Sequence, residues 1–245
     1  MYNILISLAA GGAVYAGLFL SGLLRMGEAI LPGVLIFIVV YFLTARRTFK
    51  AVENIFMEAS RSLQSTPPKI DLAIGTMQKA YTYSRTQIGV RTQVDAQIGM
   101  VYFLQKDFNK AQPLLKRSLS FSYWMAAAML AVVYYKKKDH AAMRETIDVM
   151  VKRGKKESLA WNLGAYLLIQ VGDRDGAQTL LNDGMKKTKD DPKIKENLLA
   201  VQNGRKVKMR GYKEQWYQFH LERPPVQYQQ MQMGRGGKAA RRGRW

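Results

Sequence analysis

Two histidines and a set of carboxylates are the residues of this chain whose types could do catalytic chemistry. His140 and His220 are far apart in sequence, and His140 occupies a turn position where polar residues are common. The carboxylates lie mostly at turns and helix ends, where capping accounts for them. The 245 residues include no cysteine, which excludes a cysteine nucleophile, a disulfide framework and a cysteine-based metal site. We therefore predict that the chain is not an enzyme and takes no cofactor or metal.

Binding chemistry is concentrated at the C-terminal end, where residues 224–245 begin with two prolines and form a basic tail. The tail is rich in Gln, Met, Gly and Arg, and its candidate binding residues are Arg235, Lys238, Arg241, Arg242 and Arg244. Such a composition has little to bury and predicts disorder in isolation. It could bind RNA through phosphate contacts and arginine stacking, lie near anionic lipid, or order on a partner in an assembly. Residues 234–238 only superficially resemble a phosphate-binding loop, because Ala239 replaces the required hydroxyl and no strand precedes them.

The whole chain is strongly basic. It carries 38 lysines and arginines against 18 acidic residues, so that its formal net charge is +20. A charge of this size indicates anionic surroundings or partners, such as lipid headgroups, nucleic acid or acidic protein surfaces.

Two apolar stretches open the chain and predict a transmembrane helical hairpin over residues 1–45. Residues 2–24 contain no charged side chain, and a second apolar run covers residues 29–44. About twenty apolar residues suffice for a helix to cross a bilayer. A cleaved signal peptide is the rival interpretation, but it would need a basic leading end and a shorter apolar run.

Small residues recur every four positions in the first apolar stretch and permit close helix contact inside lipid. They are Ala9, Ala13, Gly17 and Ser21. We expect this stripe to pack against the second helix through Val34, Ile38 and Phe42. A contact with another copy or with a different membrane protein is the alternative.

Basic residues predict the orientation of the hairpin. Arg25 lies in the turn beside Glu28, whereas Arg46, Arg47 and Lys50 follow the second apolar run. The positive-inside tendency places both termini in the cytoplasm, and we expect a bacterial inner membrane. Since residues 44–50 contain neither Pro nor Gly, the second membrane helix should continue into the soluble part.

A pattern of about thirty-three residues recurs between residues 92 and 185 and predicts stacked helical hairpins. Each interval has small residues where two helices would meet, including Gly99, Ala131 and Ala165. A short turn ending in aspartate then follows, at Lys106-Asp107, Lys138-Asp139 and Gly172-Asp173. The fold class predicted is therefore all-α, with the membrane hairpin followed by an α-solenoid and the basic tail.

These residues resemble the tetratricopeptide repeat (TPR) family, and the resemblance covers residues 46–191. The chain departs from the family pattern at Lys106 and Lys138, where a turn glycine is usual, and the opening tryptophan occurs only as Trp161. A helical-hairpin solenoid of another family stays open. Residues 192–223 continue with a helical pattern and are expected to form a capping helix.

The resemblance implies that the first helices of successive hairpins line a concave protein-binding groove. The positions it assigns to that groove are Gln93, Met100, Phe103, Tyr135, Lys136, Tyr166, Ile169 and Gln170. Aromatic side chains with few charges favour an apolar peptide, extended or helical, as the ligand. The alternative is that some of these aromatic residues are simply buried between hairpins.

Three classes of function follow. The leading one is a membrane-anchored scaffold that binds protein partners through TPR-like repeats. The second is a tether for nucleic acid through the basic tail, and the third is a structural or assembly subunit of a larger membrane complex.

Overall fold

A computed structural model describes residues 1–120 and 123–225, and within these ranges the regular structure is entirely helical. The chain divides into two compact units, one covering Met1–Ile98 and the other beginning at Gly99. The N-terminal unit holds α1 (Tyr2–Leu20), α2 (Ile30–Gln64), α3 (Ile70–Lys79), a 3-10 helix (Ala80–Arg85) and the start of α4 (Val90–Leu104). The C-terminal unit holds the end of α4, then α5 (Phe108–Ser118), α6 (Trp124–Lys136), α7 (His140–Arg153), α8 (Ser158–Gln170), α9 (Arg174–Thr188), α10 (Pro192–Gln202), a 3-10 turn (Arg210–Tyr212) and α11 (Glu214–Tyr217).

Two helices of the N-terminal unit, α1 and α2, are long and apolar enough to cross a membrane. They pack side by side along their apolar stretches. Most of their large apolar side chains, such as Leu5, Leu8, Leu35 and Ile38, are exposed in the chain alone. Exposed apolar surface of this extent is typical of a segment that meets lipid or other apolar partners.

Glycine meets glycine where α1 and α2 are closest. A Cβ atom added to Gly11 would lie 2.6 Å from the carbonyl oxygen of Gly33 and 3.0 Å from the Cβ of Phe37. One added to Gly33 would lie 3.0 Å from the Gly11 oxygen. Only two residues without side chains permit this separation, so the pair sets the register of the two helices.

The predicted packing of the small-residue stripe on α2 is wrong. Ala9, Ala13, Gly17 and Ser21 are exposed, and the expected partners Val34, Ile38 and Phe42 are exposed as well. The buried face of α1 instead carries Asn3, Ser7 and Gly11. Both rows have a spacing of four residues, but the Gly11 row alone brings a glycine opposite the glycine of α2.

The continuity predicted for the second helix is confirmed, since α2 runs unbroken for 35 residues from Ile30 to Gln64. It ends one residue after Leu63, where Ser65-Thr66-Pro67-Pro68 cannot continue a helix. The apolar stretch and the first amphipathic helix beyond it are therefore one rigid element.

Buried polar side chains join the start of α1 to the middle of α2 and to the loop before α4. The Asn3 amide donates to Thr48 Oγ1 at 3.1 Å and to Gln87 Oε1 at 2.9 Å. Gln87 Nε2 donates in turn to the Tyr41 hydroxyl at 2.9 Å. These satisfied hydrogen bonds hold both ends of the hairpin on the same side of its apolar part.

Antiparallel helix pairs build the C-terminal unit. The helices α6 and α7 pack together, as do α8 and α9, and α6 and α7 both contact α8. Small residues permit the close contacts: a Cβ added to Gly164 would lie 2.7 Å from Leu180 Cδ2, and one added to Gly184 would lie 2.9 Å from Trp161 Cγ. Ala131 in α6 is fully buried. Glycine and alanine thus stand where a larger side chain would separate the pairs.

The same turn geometry recurs four times in this unit. Lys106, Lys138, Gly172 and Gly204 all have left-handed φ, at intervals of 32, 34 and 32 residues. At the first turn the amide of Asp107 donates to the carbonyl of Tyr102 at 2.9 Å, and the equivalent bond forms at the other three. This is a helix C-terminal capping motif, in which glycine is the favoured residue.

An aspartate begins the next helix after three of these turns. Asp107, Asp139 and Asp173 each accept a hydrogen bond from the amide three residues on, at 3.1, 3.1 and 2.8 Å. The fourth turn is followed by Arg205, and among the described residues no long helix follows α10 to form a further pair.

The predicted capping helix over residues 192–223 is therefore wrong beyond Gln202. Its first part is α10, which packs on α8 and α9. After Gly204 the chain returns across the unit with only a 3-10 turn and the four-residue α11. Left-handed φ values of 70° at Gly204, 52° at Lys213 and 53° at His220 interrupt a continuous helix.

Candidate protein-binding surface

Residues 205–225, named here the return segment, lie against the first helices of the hairpins. Its first attachment is a buried group of hydrogen bonds between α8, α10 and the segment. Asn162 Nδ2 donates to the Tyr212 hydroxyl at 2.7 Å, and Asn197 Nδ2 donates to Asn162 Oδ1 at 2.8 Å. Asn197 Oδ1 also accepts the amide of Lys208 at 2.7 Å. Two buried asparagines thus recognise the backbone and one side chain of the segment.

Tyr212 is the anchor of this attachment. Burial raises the pKa of its hydroxyl to about 12, although the hydrogen bonds from Ser158 and Asn162 oppose that rise. The ammonium group of Lys193 lies 4.3 Å from the centre of the Tyr212 ring. The phenol therefore stays neutral at any physiological pH and its ring also carries a cation–π contact.

Aromatic side chains form the second attachment. Trp216 in α11 and Phe219 in the turn that follows α11 both lie in the surface, and both are 0% exposed. Trp216 stands edge-on to Tyr166 of α8 with ring centroids 4.9 Å apart, and it lies 6.3 Å from Phe219. Burying two side chains of this size is the largest apolar contribution that the return segment makes.

His220 makes the third attachment, beside the end of α4. Its ring lies 5.7 Å from the ring of Phe103, which is itself 0% exposed and packs on Phe108. The carbonyl of His220 accepts a hydrogen bond from Lys136 Nζ at 3.0 Å. The ammonium group of Lys136 also lies 5.4 Å above the Phe108 ring.

Positive charge collects around His220. Burial lowers the pKa of its imidazole most, and the charge of Lys106 lowers it further; the Leu104 carbonyl raises it, and the charge of Lys136 lowers it to a smaller extent. Burial and the charge of Lys106 likewise lower the pKa of Lys136. His220 is consequently neutral at pH 7, and protonating it would add a charge beside two ammonium groups.

A cleft of about 690 Å³ opens where the return segment meets the turns after α4 and α6. Its charged lining consists of Lys106, Lys136, Glu214, Glu222 and Arg223. The mixture of signs means that the cleft is not a simple anion site. Glu222 also raises the pKa of Tyr166, although burial of that hydroxyl is the larger cause.

Two polar atoms of the return segment are buried without a hydrogen-bond partner among the described residues. They are the indole nitrogen of Trp216 and Nε2 of His220. A buried donor or acceptor that leaves water without finding a partner destabilises the state that buries it. The docked segment is thus tightly packed but incompletely hydrogen-bonded.

The residues predicted to line the groove are distributed as follows. Phe103, Lys136 and Tyr166 contact the return segment, whereas Met100, Tyr135 and Ile169 are half-buried and Gln170 is exposed. Gln93 is half-buried in the N-terminal unit. Their role in binding a partner stays a prediction. The basic-tail candidates Arg235, Lys238, Arg241, Arg242 and Arg244 lie outside the described residues.

Sequence reasoning missed Trp216, Phe219 and Tyr212 as residues of this surface. The signal that could have found them is the clustering of large aromatic residues after the end of the repeat pattern, in a stretch otherwise rich in charge. A solvated helix has no use for several aromatic residues within eight positions of one another. Their presence indicates a segment whose aromatic side chains are buried against another part of the protein or against a partner.

No group of three or more His, Asp or Glu side chains that could hold a metal ion occurs in residues 1–120 and 123–225. In comparisons with known proteins, no protein-family model, no curated protein and no solved structure matches this chain.

Proposed function

We propose that this chain is a membrane-anchored scaffold that binds a protein partner through a TPR-like helical repeat unit. The observation that carries the proposal is the single 35-residue helix α2, which joins an apolar, largely exposed stretch to an amphipathic one without a break. Such a helix would continue the anchor into the part of the chain outside the bilayer without a flexible linker. The hairpin would place both termini on the cytoplasmic side of a bacterial inner membrane.

Three features support repeats of the TPR kind. Helix pairs follow one another in the C-terminal unit, their turns recur at intervals of 32 to 34 residues, and each of the first three turns ends in a capping aspartate. An array built in this way presents the first helices of its pairs as one surface. The partner would bind there and along the exposed edge that includes Ile169 and Gln170.

A structural or assembly subunit of a larger membrane complex is the second candidate. The observation that favours it is the stripe Ala9, Ala13, Gly17 and Ser21, which α2 leaves exposed. Small residues at this spacing allow another membrane helix to approach closely. In that case the partner would be held inside the bilayer rather than at the repeat unit.

Affinity purification from membranes in a mild detergent tests the two candidates together. A tag after Trp245 would capture the full chain, and its partners would be identified by mass spectrometry. The substitution pair Ile169→Ala with Gln170→Ala changes the exposed edge of α8, while Thr179→Ala on the exposed side of α9 is the matched control. Replacing Ala13 and Gly17 by leucine changes the membrane stripe.

The scaffold proposal expects the α8 pair to lose the partner, and the control and stripe variants to keep it. Loss with the stripe variant alone would favour the assembly subunit. A tether for nucleic acid predicts a third result, in which deletion of residues 233–245 dominates and binding falls steeply as salt rises. If every variant still captured the partner, the scaffold proposal would be contradicted.

A further inference from the structure

The first-helix surface is named here for the face that Phe103 of α4, Lys136 of α6 and Tyr166 of α8 form. The part of the return segment that covers this surface has features that destabilise its bound conformation. Residues 213–220, named here the docking turn, begin and end on left-handed non-glycine residues, with φ of 52° at Lys213 and 53° at His220. L-residues rarely adopt this conformation because the Cβ atom crowds the following carbonyl. The same turn buries the Trp216 indole nitrogen and His220 Nε2 without a partner in the described chain.

Opposing these costs are the aromatic contacts of Trp216 and Phe219 and the bond from Lys136 to the His220 carbonyl. The turn contains only the four-residue helix Glu214–Tyr217, which is too short to persist without the surface that covers it. Its order therefore depends on docking, as the order of a bound peptide does.

The first attachment of the return segment does not depend on the docking turn. The attachment through Asn162, Asn197 and Tyr212 lies before it in the chain, so that undocking from Lys213 onward keeps those hydrogen bonds. Undocking would expose Phe103 and Tyr166, two residues that α4 and α8 place on the surface.

We propose that the first-helix surface is an exchangeable peptide site and that the docking turn is its built-in occupant. The external ligand is a helical peptide with two large aromatic residues three positions apart, as Trp216 and Phe219 are, followed by a carboxylate. The carboxylate would replace the His220 carbonyl as the acceptor for Lys136, and a charge-assisted bond of that kind is stronger. Such a peptide needs no left-handed residues, and therefore it competes with the docking turn.

This inference rests on the proposed scaffold function, because it names the surface and the class of partner that the scaffold would use. It also implies regulation. The apparent affinity for a partner is reduced by the fraction of molecules in which the docking turn occupies the site.

Binding of a labelled synthetic peptide with the sequence of residues 209–225 to the full-length chain in detergent tests the proposal. The double variant Trp216→Ala with Phe219→Ala empties the site, whereas Lys213→Gly relieves one strained residue and holds the docking turn more firmly. We expect the double variant to bind the peptide at least tenfold more tightly than the unmodified chain. Lys213→Gly should bind it several-fold more weakly than the unmodified chain.

Two controls define the site. A peptide with alanine in place of both aromatic residues should not bind, and Tyr166→Ala added to the double variant should weaken binding about tenfold, as expected when an aromatic anchor is lost. Equal peptide affinity of all three chains would overturn the proposal, as would a double variant that remains folded and does not bind.

Hydrogen exchange on the unmodified chain decides the matter even when the double variant does not fold. The amides of the docking turn should exchange at least a hundredfold faster than those of α8, by local opening. Equal protection would show that the docking turn is a permanent part of the core. Peptide binding with a failed partner capture would retain the site and remove the scaffold function, so the two failures are distinguishable.

Discussion

Gly11 of α1 and Gly33 of α2 face each other with no room for a side chain between them, since a Cβ on Gly11 would lie 2.6 Å from the Gly33 carbonyl oxygen. Next to it on α1, Gly12 would meet nothing within 4 Å if it carried a Cβ. Gly11 and Gly12 are consecutive residues of one helix, of which the first is buried and the second exposed. Substitutions at the two positions therefore distinguish the effect of helix packing from the general effect of replacing a glycine in a helix.

Gly11→Leu should therefore force α1 and α2 apart, and Gly12→Leu should leave them in place. We expect the first variant to lose on the order of 1–3 kcal/mol of stability, as overpacked contacts do. Thermal unfolding in detergent, followed by circular dichroism, measures the difference. Equal stability of the two variants would mean that the Gly11 contact does not hold the hairpin.

The left-handed turns predict a stabilising substitution. Lys138→Gly should raise the free energy of unfolding by about 0.5–1 kcal/mol, because glycine adopts a φ of 61° without a Cβ clash. Glu145→Gly, at an exposed position in the middle of α7, is the control and should destabilise by about 1 kcal/mol. Chemical denaturation measures both. Destabilisation of the same size by the two substitutions would contradict the role assigned to the turn.

The contacts between helices predict where the C-terminal unit cannot accept volume. Gly99→Leu and Ala131→Leu should each cost about 1–3 kcal/mol or more, since a Cβ on Gly99 already lies 3.0 Å from Leu115 Cδ2 and Ala131 is fully buried. Ala141→Leu, on the exposed side of α7, is the matched control. An unchanged melting temperature in both core variants would remove these positions from the core.

The environment of His220 predicts that acid loosens the return segment. Because the folded-state pKa lies below the ordinary value of 6.5, docking is fully stabilised above about pH 6.5 and weakens as pH falls toward the lower folded value. Burial opposes protonation most, followed by the charge of Lys106 and, more weakly, that of Lys136, while the Leu104 carbonyl favours it. Hydrogen exchange of residues 213–220 should thus be faster at pH 5.5 than at pH 7.5, after correction for intrinsic rates.

His220→Gln should remove most of this pH dependence, because an amide does not titrate in that range. The matched control His140→Gln, at an exposed position, should leave the pH dependence of exchange unchanged. Protection that is the same at both pH values in the unmodified chain would show that His220 does not control docking.

Membrane topology is the last prediction. A reporter fused after Trp245 should score as cytoplasmic, because Arg46, Arg47 and Lys50 follow the second apolar stretch whereas Arg25 in the turn is offset by Glu28. A variant with two lysines added beside Arg25, and with Arg46, Arg47 and Lys50 replaced by neutral residues, should have the opposite orientation. Digestion of the repeat unit by protease added outside spheroplasts of the unmodified chain would show the opposite orientation.

The amino-acid sequence by itself determined the helices and their order. Apolar runs, prolines and the recurring turn aspartates act over a few residues, so the continuity of α2 and its end before Pro67 could be read directly. The close contacts at Gly99 and Ala131 were also predicted, because small residues recur at the same place in each interval of the repeating pattern.

Only the tertiary structure decided which of two small-residue rows joins α1 to α2, and what covers the first-helix surface. Ala13 and Gly11 belong to rows of the same spacing, and only the position of Gly33 on the partner helix distinguishes them. Trp216 meets Tyr166 across fifty residues of chain. Contacts of that range depend on how several helices stack, and no local periodicity encodes them.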